Sequence, residues 1–174
     1  MLSGLEEANK VNKELTSIDD DALNLLSQLS EGYPHFLQEF AFKAFEHDLN
    51  NRICVEDVKN GAFGQFGALK QLGTKYFNEL YFTQIGSDEY RRVLQAMARF
   101  SDSWVNREMI KKEISIKDTT LNNALQALKT RNIIVPNPAQ SGEFRLPTKS
   151  FAAWIKAFYM LKEEPFSSEN LNNE

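Results

Sequence analysis

The sequence contains few residues of the types that carry out catalysis or bind metals. It has two histidines, His35 and His47, and one cysteine, Cys54. No HExxH or CxxC spacing occurs, so no metal site is predicted. No GxSxG nucleophile elbow is present either, and the abundant carboxylates are scattered over helix faces. We therefore expect no complete catalytic site and no bound metal in this chain.

A glycine-rich segment has the composition of a phosphate-binding loop but not its order. Gly61, Gly64 and Gly67 are followed by Gly73-Thr74-Lys75. A phosphate-binding loop requires GxxxxGK[ST] directly after a strand, because its backbone N–H groups and its lysine surround the phosphates. Here the spacing differs and no strand precedes it. The glycines predict a helix break or close helix packing, and we expect this chain alone neither to bind ATP tightly nor to hydrolyse it.

The string EGYPHFLQEF is the most distinctive sequence in the first half of the chain. Gly32 predicts the end of one helix, and Pro34 fits the first turn of the next, where its missing N–H would have no partner anyway. The earlier helix is predicted to begin near Asp20. Ser17 or Asp19 can provide its N-cap, and three consecutive acids favour the positive end of the helix dipole.

The elements around this string are also predicted to be helical. The helix that begins at Pro34 is expected to extend to about Asn50, and a third helical stretch, weakened by its glycines, runs from Glu56 to Leu80. Residues 1–18 are polar without a sustained period and are predicted to be a linker or an N-terminal extension. The helix beginning at Pro34 has a broad apolar face: Phe36, Leu37, Phe40, Ala41, Ala44 and Phe45.

From Glu89 onward the pattern predicts three helices, a two-stranded hairpin and a last helix. Asp118 or Thr119 is expected to cap the third of these helices. This order describes a winged helix. The predicted fold class is therefore mainly α, a helical bundle followed by a winged helix with three helices and a two-stranded β-hairpin wing. The segments are the helices 89–100, 106–114 and 118–130, the strands 133–135 and 143–146, and the helix 150–161.

The third of these helices is the candidate nucleic-acid reader. In helix-turn-helix proteins the early residues of this helix face the major groove. Polar side chains can reach base edges there, and lysines and arginines can reach phosphates. The alternative is that this polar face is solvated and the unit packs against a protein. The candidates for bases are Thr119, Thr120, Asn122, Asn123 and Gln126, and those for phosphates are Lys117, Arg131 and Arg145.

Composition and charge limit the class of protein. Of the 174 residues 42% are apolar and 11% are aromatic, which excludes a disordered chain. No apolar stretch is long enough for a membrane helix and no secretory signal is present, so no membrane partner is expected. A lone cysteine favours a reducing, cytoplasmic location. Residues 1–60 carry a net charge of −7 and residues 102–160 carry +4, which indicates two modules with different surroundings.

Several strings together resemble a known family. The sequences DDAL at 20–23, SEGYPHFLQ at 30–38 and VEDV at 55–58 resemble the helical lid of AAA+ ATPases. They look closest to the origin-recognition-like and signal-transduction branches of bacteria and archaea. The sequence YRRVLQAMA at 90–98 and the winged helix up to residue 158 are similar to the domain order of that family.

The resemblance implies a nucleotide-facing turn, and together with the residue patterns it divides the chain into four segments. Gly32, Tyr33 and Pro34 would face the adenine or ribose of ATP or ADP bound mainly by an absent core domain, and His35 stands where many lids carry a phosphate-reaching arginine. A neutral imidazole does not replace a guanidinium, so an ordinary helix residue is the alternative for His35. The segments are an extension at 1–18, a lid-like domain at 19–87, a winged-helix domain at 88–162 and a polar tail at 163–174.

The function implied is that of a lid and winged helix that close over nucleotide and couple its state to DNA or to a partner protein. Its partner would be an ATPase core domain N-terminal to this segment, and the chain itself would hold no cofactor. Two alternatives remain. One is a stand-alone winged-helix DNA-binding regulator, and the other is a nucleotide-free protein-interaction module.

Overall fold

The computed structural model describes residues 2–11, 15–101 and 103–160, and this part of the chain is mainly helical. The predicted polar tail at 163–174 lies outside the described residues. The helices are α1 (Leu2–Val11), α2 (Asp20–Ser30), α3 (Pro34–His47), α4 (Val55–Phe63), α5 (Ala68–Leu72), α6 (Asp88–Ala98), α7 (Arg107–Glu113), α8 (Asp118–Thr130) and α9 (Lys149–Phe158), with two π-helical segments at Gly73–Phe77 and Glu79–Thr83.

Two small sheets complete the described structure. The first is a parallel pair in which Ile18 lies beside Ile53. The second is antiparallel, with β5 between β3 and β4. None of the helices in the described ranges has the length and apolar content that crossing a bilayer requires. The strands are β1 (Ser17–Ile18), β2 (Arg52–Ile53), β3 (Val105–Asn106), β4 (Val135–Pro136) and β5 (Glu143–Arg145).

Helix α2 begins and ends where its sequence predicts. It starts at Asp20 and is followed by Glu31 and Gly32, both with positive φ. Of the two predicted caps, Asp19 is confirmed in its position only. Asp19 occupies the N-cap position without a capping hydrogen bond, because its carboxylate binds Arg52 Nε at 2.8 Å. Ser17 lies in β1 instead.

Helix α3 has a narrower buried face than its apolar residues predict. Phe36, Phe40 and Ala44 are buried, but Phe45 is 36% exposed and Phe42 is 56% exposed. These two rings line an apolar groove of about 510 Å³ between α1 and α3. Phe45, although part of the predicted apolar face, therefore lies outside the buried core, on the side of α3 that α1 covers only partly.

Two features differ from the prediction: helix α1 (Leu2–Val11) forms where the sequence has no sustained period, and the hairpin has an additional strand. Helix α1 is held to the following segment by Asn9, whose side chain donates to Thr16 O at 2.8 Å and accepts from Thr16 N at 2.9 Å. The predicted two-stranded hairpin gains a third strand, because Val105 pairs with Phe144. The first hairpin strand also begins later than predicted, at Val135, while Ile133 and Ile134 are buried ahead of it.

The glycine-rich segment provides both a helix break and close packing, as predicted. The chain leaves helical geometry between α4 and α5, where Gly64 and Gly67 lie. Gly61 is packed so tightly that an added Cβ would overlap the backbone of Lys43 in α3. Gly73 faces the indole of Trp154 in α9 with the same lack of room. These contacts bring α4 and α9 against their neighbours, and one continuous apolar core joins the two halves of the chain.

Candidate functional site

The predicted nucleotide-facing turn, residues 32–35, lies at the surface between α2 and α3. Gly32 has a φ of +78°, which favours glycine, while a Cβ there would meet nothing within 4 Å. Gly32 and Pro34 are exposed, and Tyr33 is 50% exposed with its ring 5.3 Å from that of Phe36. The turn therefore presents one aromatic ring and two small residues to solvent.

His35 brings a distant cation to this turn. Its Nε2 lies 3.1 Å from Nζ of Lys75, which belongs to the first π-helical segment. The imidazole also meets the ring of Tyr76 edge-on, with centroids 5.5 Å apart. No carboxylate in the described part of the chain forms an ion pair with Lys75. The result is an uncompensated positive charge beside the N-terminus of α3, a combination that favours an anion.

Glu31 is directed away from this cation. Its Oε1 accepts a hydrogen bond from the backbone N of Ser150 at 2.8 Å. The buried hydroxyl of Ser150 in turn donates to Leu29 O at 2.8 Å. The acidic residue next to the turn thus occupies the N-terminus of α9, where a carboxylate is favoured by the helix dipole. The turn is thereby connected to the last helix of the chain.

Helix α8 has the two faces that its sequence predicts. Leu121, Ala124, Leu125 and Leu128 are buried. The opposite side is polar and, apart from its ends, uncharged. We call Thr119, Asn122, Asn123 and Gln126, all of which are exposed, the α8 face; Thr120 is only partly exposed beside it.

The predicted cap of α8 is wrong, and the difference changes the charge at the start of the helix. The helix begins at Asp118, with Lys117 in the N-cap position and no side-chain capping bond. Asp118 binds two cations of α7 instead, Lys111 Nζ at 3.0 Å and Arg107 Nη2 at 3.2 Å. The hydrogen bond and charge of Lys111, with a smaller contribution from Arg107, lower the pKa of the Asp118 carboxyl.

The three predicted phosphate-binding residues do not form one cluster. Lys117 is exposed at the start of α8, and Arg131 follows its end. A 13-residue helix is about 20 Å long, so these two cations lie far apart. Arg131 also donates to the backbone O of Gln84. Arg145 in β5 stacks its guanidinium 4.6 Å from the centroid of the Trp104 ring.

Sequence reasoning missed three residues that belong to these surfaces. Lys75 is 40 residues from His35 in the chain, so no local pattern connects them. Arg107 and Lys111 lie on α7, one helix before the candidate reader. Their contact with Asp118 joins side chains of two different helices, so it does not follow from spacing along one helix. Within the described ranges, no three His, Cys, Asp or Glu side chains converge as a metal site.

Comparisons with known proteins return no similarity. No family model matches the sequence, and neither the curated proteins nor the solved structures contain a match.

Proposed function

We propose that this chain is the helical lid and winged-helix portion of an AAA+-type ATPase. In this proposal the lid-like domain at 19–87 closes over ATP or ADP bound by a core domain N-terminal to it, and the winged helix couples that state to DNA. The observation that carries the proposal is the exposed turn at residues 32–35, with the cation of Lys75 beside His35. Lys75 would supply a cation near the nucleotide, where many lids carry an arginine in place of His35.

The second half of the chain supports the winged-helix part of the proposal. Helices α6, α7 and α8 are followed by a hairpin, β4 and β5, whose second strand also pairs with β3. Helix α8 has a buried apolar face and, on its opposite side, an exposed polar face. This is the order of elements that presents a third helix to a DNA groove. The free and partly exposed Cys54 suits the cytoplasmic location that we propose with it.

DNA is the partner that the α8 face favours. Its amides and hydroxyls are the groups that read base edges, and Asn or Gln pairs well with adenine. Lys117 is exposed at the helix start, and the guanidinium of Arg145 in β5 lies over the Trp104 ring. If no duplex binds, the α8 face is instead assigned to a protein partner.

The nucleotide part is tested in the protein that includes the core domain, whose reading frame should encode a strand followed by GxxxxGK[ST]. We expect Lys75→Ala to weaken ATP affinity about tenfold, or about 1.4 kcal/mol, in a fluorescent-nucleotide titration. Lys70→Ala is the matched control, because Lys70 also lies over an aromatic ring but belongs to α5.

Two results would contradict the nucleotide part. An upstream frame without a phosphate-binding loop would favour the stand-alone regulator or the nucleotide-free interaction module. Equal ATP affinity of the Lys75 and Lys70 variants would remove the turn from the nucleotide site. The chain alone is expected to show no ATP turnover, and turnover that one of its own substitutions abolishes would also argue against the proposal.

The DNA part is tested by titrating duplexes between about 50 and 200 mM salt. Lys117→Ala or Arg145→Ala should weaken binding to all sequences and lower the salt slope by about one unit each. Asn122→Ala or Gln126→Ala should instead relax discrimination between sequences by roughly 1 to 3 kcal/mol. Lys59→Ala on α4 is the control and should change neither quantity. No binding at low salt would leave the second half of the chain as a protein-docking unit.

A further inference from the structure

The first turn of α8 carries a carboxylate at the edge of the surface proposed to meet DNA. Asp118 is 61% exposed, and it is the only acidic residue among residues 117–130. It holds Lys111 and Arg107 at 3.0 and 3.2 Å. Two cations that could otherwise contact phosphates are therefore paired within the protein.

Stability alone gives little reason for this arrangement. Exposed ion pairs contribute little to the free energy of folding, and many contribute nothing measurable. Asp118 does interact favourably with the helix dipole at the start of α8, but that contribution is small at an exposed position. The carboxylate has a larger effect on an approaching DNA duplex. It repels the phosphates, and it forms ion pairs with the two cations that would otherwise attract them.

The contact with Arg107 is suited to release. Asp118 binds this guanidinium through Nη2 alone. Arg107 Nε is buried and has no hydrogen-bond partner among the described residues. The pair is thus not the two-bond fork that makes arginine–carboxylate contacts strong. Lys111 is a single point charge on a flexible stem, so both cations can leave Asp118 for a competing phosphate.

We propose that Asp118 is a selectivity residue that suppresses non-specific binding of duplex DNA by the α8 face. It neutralises Arg107 and Lys111 against phosphates of any sequence, so tight binding depends on base contacts made by α8. Specificity is commonly obtained in this way, by disfavouring the wrong partner as well as by favouring the right one. The inference rests on the proposed DNA-binding function.

The test is Asp118→Asn in the full chain, with a short random-sequence duplex titrated by fluorescence anisotropy. Two additional phosphate contacts should tighten binding about tenfold at low salt and steepen the salt slope by about two units. Asp20→Asn is the matched control, because it removes the same charge from the exposed first turn of α2. Asp118→Ser provides a second variant, which removes the carboxylate and leaves a smaller polar side chain.

A second arm identifies the cations involved. When Arg107 and Lys111 are both replaced by Gln, Asp118→Asn should no longer tighten binding. Wild-type binding with no gain in either Asp118 variant, or an equal gain in Asp20→Asn, would overturn the selectivity role and leave DNA binding standing. No binding by the wild type and by both Asp118 variants at low salt would overturn both.

Discussion

Phenylalanines of one helix occupy very different environments in this protein. In α3, Phe40 is fully buried and Phe36 is 9% exposed, while Phe42 is 56% exposed beside the groove. Sequence periodicity identifies the first two as core residues. At the scale of single residues, burial rather than residue type determines what a ring contributes to the free energy of unfolding, because only a buried ring leaves a cavity when it is removed.

We expect Phe40→Ala to lower the free energy of unfolding by about 3 to 5 kcal/mol, because it removes a large apolar side chain from a packed site. Phe36→Ala should cost a similar amount. Phe42→Ala is the control on the same helix and should cost much less. Urea denaturation followed by far-UV circular dichroism measures all three. An unfolding curve unchanged by both core substitutions would show that the wrong face of α3 has been assigned to the core.

At the scale of elements, the π-helical segment that begins at Gly73 determines how α9 packs. Phe77 of this segment lies 5.1 Å from the Phe151 ring and 5.6 Å from the Trp154 ring of α9, centroid to centroid. The indole of Trp154 fills the space next to Gly73. The same π-helical geometry presents Lys75 to His35 on the other side, and such segments occur frequently at functional sites.

Gly73→Ala should destabilise the protein although alanine is the better helix former. The gain in helix propensity is about 1 kcal/mol, but the added methyl overlaps Trp154, and overpacking costs about 1 to 3 kcal/mol. Gly86→Ala is the control, because a Cβ at Gly86 meets nothing within 4 Å. Thermal unfolding of the two variants checks this. A higher melting temperature for Gly73→Ala would contradict the packing described here.

At the scale of the whole molecule, α9 joins the two halves of the chain. The backbone N of Phe151 donates to Thr148 Oγ1 at 3.0 Å, a local cap. The neighbouring N of Ser150 donates to Glu31, 119 residues away. The apolar core is also continuous between the halves, so the turn and the second half of the chain are in direct structural contact.

We expect the described helices to unfold in one cooperative transition. Both tryptophans, Trp104 and Trp154, lie in the second half of the chain, whereas far-UV circular dichroism reports on all helices. The two signals should therefore share one urea midpoint. Glu31→Ala should lower both midpoints equally. The free energy of unfolding should fall by about 1 to 3 kcal/mol, because the backbone N–H of Ser150 loses its acceptor. Separate midpoints, or a shift of only one signal, would show that the halves unfold independently.

The local sequence by itself determined most of the helices and the two faces of α8. The positive φ at Gly32, the proline at the start of α3 and the buried positions of α8 are set by residues within a few positions of one another. Backbone preference and hydrophobic period act over that range. The proposed reader surface of Thr119, Asn122, Asn123 and Gln126 could therefore be predicted in advance.

Tertiary structure alone decided the long-range contacts made around the turn at residues 32–35 and around α8. Lys75 meets His35, Arg131 turns to Gln84, and Glu31 reaches Ser150 across 40, 47 and 119 residues of chain. The predicted cap Asp118 was likewise drawn to the cations of α7. Each partner is chosen by which elements pack together and which charges then lie within reach. No spacing along one segment encodes that choice, because it depends on the core that joins the segments.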